Sequence, residues 1–349
     1  MTRVRTIDEA AREGARRRVD GLAKPLGSLG RLEELAVWLA GVQGTAEPRA
    51  PRDVSVVVFA GDHGVTSDSS VSAYPRAVTA AMVREFLRGG AAVNVLSGAH
   101  GARVRVVDIA VDDDLADTPA EVRRHKVRRT SGPIHREDAL APGEVEAALA
   151  AGRAVADEEI DAGADLLVPG DMGIGNTTVA ATLVGAVLGL DADNVVGRGT
   201  GVDDETWRVK RDVVAAALER ARPHRADAVG LLRTVGSADL AAATGFLVRA
   251  AERGVPVLLD GVVSGACALL AEQLAPGAVA WWYAGHRSTE PAHRLALEAL
   301  DLLPLLDLEL RLGEASGALA ALPLLRTAPL LLAGMTTLDS VTLPEPESV

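Results

Sequence analysis

Cysteine, lysine and aromatic side chains are scarce in this chain. A single cysteine among 349 residues, Cys267, cannot close an internal disulfide, so the fold rests on packing and hydrogen bonding and suits a reducing compartment. Aromatics are 3% of the sequence, which leaves Ala, Val, Leu and Gly to fill the core. Lysine occurs only at Lys24, Lys126 and Lys210, against 36 basic residues in all. Positive charge is also short overall: the net charge of −12 argues against a nucleic-acid or anionic-membrane surface, and a small anionic substrate would need a local positive site. No apolar run of signal type follows the opening MTRVRTIDEA, and a cytoplasmic location is the expectation. The most apolar stretch, Gly317 to Gly334, is interrupted by Pro323, Arg326 and Pro329, and reads as a packed helix with a break, not a membrane span.

What the chain does have is 48% hydrophobic residues over a length that favours a large domain plus a smaller one. Residues 1–44 carry Leu32, Leu35, Ala36 and Leu39 at helical spacing, and TAEPRAPRD closes that region. Beyond Val54 the pattern changes to short apolar runs, each followed by a Gly-containing turn and a helix-compatible segment, as buried parallel strands are. These are VSVVVFA before GDHGV, DLLVPG before DMGIGNTT, VPVLLD before GVVSGA and VAWWYA before GHRSTEP, with a further run at Arg103–Val111. Right-handed crossovers would bring the turns to one edge of a parallel α/β sheet, the edge where such folds bind ligands. The polar segment from Asp112 to Pro142 is longer than a usual connector; a flap, a dimer arm and a mobile excursion are all compatible with it.

The turn VPGDMGIGNTT places Gly170, Gly173 and Gly175 ahead of Asn176, Thr177 and Thr178 at a helix start. An anion there would meet backbone N–H groups and the positive helix end, although a ligand-free Gly-rich cap has the same composition. The Walker ending Gly-Lys-Ser/Thr is missing. A second Gly-rich stretch, VVGRGTGVDDETWRVK, ends in Lys210, whose compact ammonium suits a phosphate oxygen; a solvated helix face is the alternative. Glu314 lies between Gly313 and Ala315–Ser316–Gly317, where a carboxylate either caps the following helix or projects into a cleft as a base. Asp62–His63, His286–Arg287, Glu290 and His293 raise a metal site, but their spacing favours turn-stabilising hydrogen bonds. No Gly-x-Ser-x-Gly elbow follows a strand.

Eight segments in order, KPLGSLGRLEELA, FAGDHGV, VSAYP, GDMGIGNTT, GRGTGVDD, LDGVVSGA, GHRSTEPAH and LRLGEASGA, resemble the successive signatures of the nicotinate-nucleotide:dimethylbenzimidazole phosphoribosyltransferase family. The resemblance implies a parallel Rossmann-like sheet flanked by helices over residues 51–300, with a small helical domain from residues 1–50 and 301–349, the latter carrying the catalytic residue. It implies transfer of a phosphoribosyl group from nicotinate mononucleotide to a benzimidazole-type base in cobalamin lower-ligand assembly, by a homodimer needing no cofactor and no metal. Glu314 would be the base. The nucleotide and its phosphate would lie on Asp171, Gly173, Ile174, Gly175, Asn176, Thr177, Gly201 and Lys210, and the acceptor base near Ser72, Tyr74, Pro75, Leu312 and Gly313. The chain departs from the family pattern at Asp171 in place of Glu, at Ala80 and Ala81 where a Gln follows the Thr, and at Ala292 and Ala315 in place of glycines. A nucleotide hydrolase or nucleosidase, or a non-catalytic nucleotide-binding protein, is the competing reading.

Overall fold

The computed structural model describes residues 4–199 and 201–341. In chain order its helices are α1 (Glu9–Asp20), α2 (Arg31–Gln43), α3 (Val78–Arg88), α4 (Ala92–His100), α5 (Ala120–Arg123), α6 (Glu144–Asp161), α7 (Asn176–Leu188), α8 (Ala192–Val195), α9 (Asp204–Ala221), α10 (Ala228–Val235), α11 (Ala238–Arg253), α12 (Val262–Leu274), α13 (Pro291–Ala299) and α14 (Ser316–Gly334). The chain divides into two units, one holding Asp53–Ala321 and the other Thr6–Arg52 with the chain from Leu322.

The smaller unit is helical. Asp8 caps α1 by accepting from the Ala11 N–H at 2.9 Å, and α1 buries Ala11, Ala15 and Val19 one turn apart. α2 buries Leu35, Ala36 and Leu39, the stripe its sequence spacing announces. Between them Lys24 pairs with Glu33 at 2.9 Å, both side chains nearly buried. The expected break in the last helix is absent: α14 runs through Pro323 and Pro329, and the Thr327 hydroxyl donates to the Pro323 carbonyl at 2.8 Å. This helix is long and apolar enough to cross a membrane by composition, yet 50% of its most apolar window is buried in the protein, as in a core helix.

The larger unit is built on five parallel strands, β1 (Val54–Gly61), β2 (Arg103–Ala110), β3 (Leu166–Met172), β4 (Val257–Leu259) and β5 (Trp282–Ala284), in the order β2-β1-β3-β4-β5. Every residue of β1 is buried, which explains its unbroken apolar run. β5 is shorter than VAWWYA suggests, because Ala278–Trp281 coil into a 3₁₀ turn. The order reverses between β1 and β3, and the crevice beyond the carboxyl ends of those two strands is where the sheet opens for a ligand. α6 and α11 approach most closely at two glycines: a Cβ on Gly152 would lie 1.7 Å from the Ala242 carbonyl oxygen, and one on Gly245 2.2 Å from that of Leu149.

The boundary expected near residue 300 falls at Ala321 instead. Residues beyond α13 are stitched to the sheet, with Leu305 and Leu306 N–H donating to Ala284 and Gly285 carbonyls, and the Arg287 N–H to Leu306. Glu314 therefore belongs with the sheet, not with the helical unit. The 112–142 excursion is laid down on its own chain. Lys126 spends its ammonium on Asp108 and on the Val111 and Asp113 carbonyls, all at 2.7 Å. Ser131 N–H donates to the Asp62 carbonyl, and Leu115, Val122, Ile134 and Leu140 are buried.

Candidate active site

The turn after β3 is shaped by close approach. A Cβ on Gly173 would lie 2.1 Å from the Gly61 carbonyl oxygen and 2.7 Å from the His63 ring, so only glycine lets β1 and β3 turns lie together. Gly175, at φ 97°, then starts α7 with its N–H groups toward the crevice. Ile174 N–H is held by the Thr79 hydroxyl at 3.1 Å, tying this turn to α3.

Lys210 reaches the same turn from α9. It is 1% exposed, and its ammonium donates to the Thr177 hydroxyl at 2.9 Å. Burial pulls its pKa below the ordinary lysine value, against the opposing charge of Glu290. Gly199, at φ 53°, lies over this pair, and a Cβ on it would meet Thr177 Oγ1 at 3.4 Å and Lys210 Nζ at 3.6 Å. The result is an open cleft whose wall includes Gly173–Thr177, Lys210, Arg198 and Gly199 together with Ser72, Tyr74, Met172 and Leu312. A second chamber shares Asp171, Asn176, Thr177, Gly199 and Leu312 with it and adds Gly313, Ser288 and Glu290.

Asp171 lies between the two chambers and accepts from the Asn176 amide at 2.6 Å. Burial holds its carboxyl well above the usual carboxylate range, reinforced by the charges of Asp260, Asp239 and Glu314 and opposed by the Asn176 bond. Glu314 itself is 5% exposed, with Oε2 unpaired. Burial raises its carboxyl too, with Asp260's charge adding and the Val93 N–H opposing. It follows Gly313 in a run at φ 86°, 60° and 65°, and Ala315, where the family pattern has glycine, is the third of these. The turn is anchored by Asp260, which caps α14 from β4 by accepting from Gly317 and Ala318 N–H at 2.8 and 2.9 Å. Burial pushes Asp260 up, but the bond and charge of His286, with the Ala318 N–H, outweigh it and hold it below its ordinary value. Glu314 thus does not cap α14; Asp260 does.

The cleft gathers Asp171, Gly173, Ile174, Gly175, Asn176, Thr177, Lys210, Ser72, Tyr74 and Leu312, and the adjoining chamber adds Gly313. Pro75, Gly201 and Glu314 line neither chamber. Pro75 accepts from the Val78 N–H in the turn before α3, and Gly201 stands at φ 111° with room for the Arg311 guanidinium beside it. Ala80 and Ala81 face a separate groove with Asp62, Arg76 and Arg84. Of the buried histidines, His293 ties its own turn together. His293 Nδ1 accepts from the Ser288 N–H at 3.0 Å, and its pKa is lowered to about 3, chiefly by burial and then by His286. Arg198, Gly199, Arg311 and Glu290 also line these chambers, where sequence reasoning had not singled out the first three and had weighed Glu290 only for a metal site. The Gly-rich stretch around Gly199 was visible, but its contact with residue 290 was not.

A phosphoribosyltransferase family model matches residues 4–342. The nicotinate-nucleotide–dimethylbenzimidazole phosphoribosyltransferase of Mycolicibacterium paratuberculosis is 55% identical over 98% of this chain and 97% of its own length. The protein of the same name from Mycobacterium tuberculosis is 55% identical over 96% of this chain and 92% of its own. A crystal structure described as CobT from Thermus thermophilus aligns with a TM-score of 0.90 at 47% identity, covering 95% of this chain and 98% of that one. The chain belongs to this phosphoribosyltransferase family.

Proposed function

We infer that the protein transfers the 5-phosphoribosyl group of nicotinate mononucleotide to 5,6-dimethylbenzimidazole, giving α-ribazole 5′-phosphate and nicotinate in cobalamin lower-ligand assembly. The carrying observation is the buried Lys210–Thr177 pair over the Gly173–Gly175 turn, in the same cleft as Ser72, Tyr74 and Leu312. The turn and Lys210 take the phosphate, and binding that remote group fixes the ribose for attack. In the donor the leaving group is a pyridinium, which departs neutral at nitrogen and needs no acid. One imidazole nitrogen of the acceptor forms the bond to the anomeric carbon as the bond to the pyridinium breaks. Glu314 takes the proton from the other nitrogen. Attack opposite the leaving group converts a β-linked donor into an α-linked product.

Two adjoining chambers support this geometry, because nucleophile and leaving group need opposite sides of one carbon. A homodimer in the cytoplasm completes the proposal, on the family resemblance and on the single buried cysteine, Cys267. The deciding experiment is Glu314→Gln. The variant should bind nicotinate mononucleotide normally and lose at least about a hundredfold in kcat, within the usual yield of general-base catalysis. A base must be deprotonated, so burial of Glu314 puts the acid limb of the parent's kcat profile above the ordinary glutamate value of 4.5, with activity falling as pH drops through it. Turnover within a few-fold of the parent, with the same acid limb, would remove Glu314 from the role.

A further inference from the structure

We propose that Glu290 reads the ribose hydroxyls of the donor nucleotide and selects ribosyl over deoxyribosyl substrates, an inference that rests on the phosphoribosyl-transfer reading. Glu290 stands just before α13 and is 3% exposed. Its Oε1 accepts from the Gly199 N–H at 2.7 Å, which fixes the side chain, while Oε2 has no hydrogen-bond partner. A buried carboxylate oxygen without a donor is a standing cost, relieved when a ligand or water supplies one. Lys210 does not relieve it, since its ammonium is bonded to Thr177 and makes no ion pair with Glu290 among the described residues.

The surroundings are cut to this carboxylate. A Cβ on Gly197 would lie 2.4 Å from Oε2, so that position needs glycine for Glu290 to reach its place. Glu290 lines the second chamber together with Thr177, from the turn proposed to hold the phosphate, and with Leu312 and Gly313, proposed to lie near the acceptor base. In a nucleotide, the ribose is what lies between phosphate and base. An ionised carboxylate accepts hydrogen bonds and repels anions. Of the polar groups on nicotinate mononucleotide, the phosphate and the carboxylate are anionic, and only the 2′- and 3′-hydroxyls can donate. Pairing of a carboxylate with a ribose diol is the same chemistry that dinucleotide sites use.

The test compares kcat/KM for nicotinate mononucleotide with that for its 2′-deoxy and 3′-deoxy analogues, in the parent, in Glu290→Gln and in Glu290→Asp, with a benzimidazole acceptor. Gln keeps a carbonyl for the Gly199 N–H; Asp keeps the charge but is one methylene shorter. Removing a hydroxyl also alters the intrinsic reactivity of the glycosidic bond, but that effect is common to all three proteins and cancels in the ratio of ratios. Because each ratio is taken within one protein, it is independent of how much of a variant folds. The discrimination against at least one deoxy donor should fall about tenfold or more in Glu290→Gln, as for loss of a hydrogen bond to a charged group. A fall of less than threefold against both donors overturns the proposal. Failure of the parent to form a phosphoribosyl product at all would instead overturn the reading on which it rests.

Discussion

Glu314 is held by backbone that an L-residue adopts at a cost. Positive φ at a non-glycine costs about 1–2 kcal/mol, and Glu314 and Ala315 both stand there, at 60° and 65°. Ala315 is fully buried, and its methyl lies beside Gly170 on β3. Replacing it with glycine removes strain but also a buried methyl, and frees the unfolded chain. Ala315→Gly is therefore expected to be neutral within about 1 kcal/mol. Ala315→Val adds β-branching in the left-handed region and crowds Gly170, and should cost at least about 2 kcal/mol. Denaturant melts measure both, and a valine variant as stable as the parent would mean the turn adjusts freely. At this scale the sequence was partly legible. Gly173, Gly175 and Lys210 stand out by composition alone, because tight turns and rare cations are local signals. Glu290 does not, since its meaning depends on the Gly199 N–H, 91 residues away, and Asp260 was not recognisable as the cap of α14 for the same reason, at 57 and 58 residues.

Among elements, strands were the easiest to read, because a strand buried on both faces leaves a continuous apolar run such as Val54–Gly61. Composition misled at Pro323 and Pro329, which α14 accommodates without ending, and at the 3₁₀ turn preceding β5. The α6–α11 pair had no such signature, for the contact is made by glycines that sequence alone assigns to flexibility. Gly152→Ala must push a methyl into the Ala242 carbonyl, where only backbone can yield, and should cost about 3 kcal/mol or more. Gly98→Ala is the control. Gly98 lies in α4 with nothing within 4 Å of where an added methyl would sit, and the change should stabilise by about 0.5–1 kcal/mol. Thermal melts of the two variants check the contrast, and equal effects would contradict the close packing of α6 and α11.

Across the whole molecule, the scarcity of cysteine becomes a tool. Cys267 is fully buried in α12, and burial pushes its thiol well above the ordinary value, so neither access nor thiolate is present in the native state. Labelling by a thiol reagent should be undetectable on the native protein and track global unfolding with denaturant, and rapid native labelling would show that α12 opens locally. The strand order carries a further consequence. In β2-β1-β3-β4-β5 every strand after the first pairs with one that precedes it in the chain: β2 and β3 with β1, β4 with β3, and β5 with β4. A chain emerging from the ribosome can therefore add every strand to an edge already standing, and never has to pry two apart. Glu314 follows β5, so the residue proposed as the base is delivered only after every strand of the sheet has been made, ahead of α14.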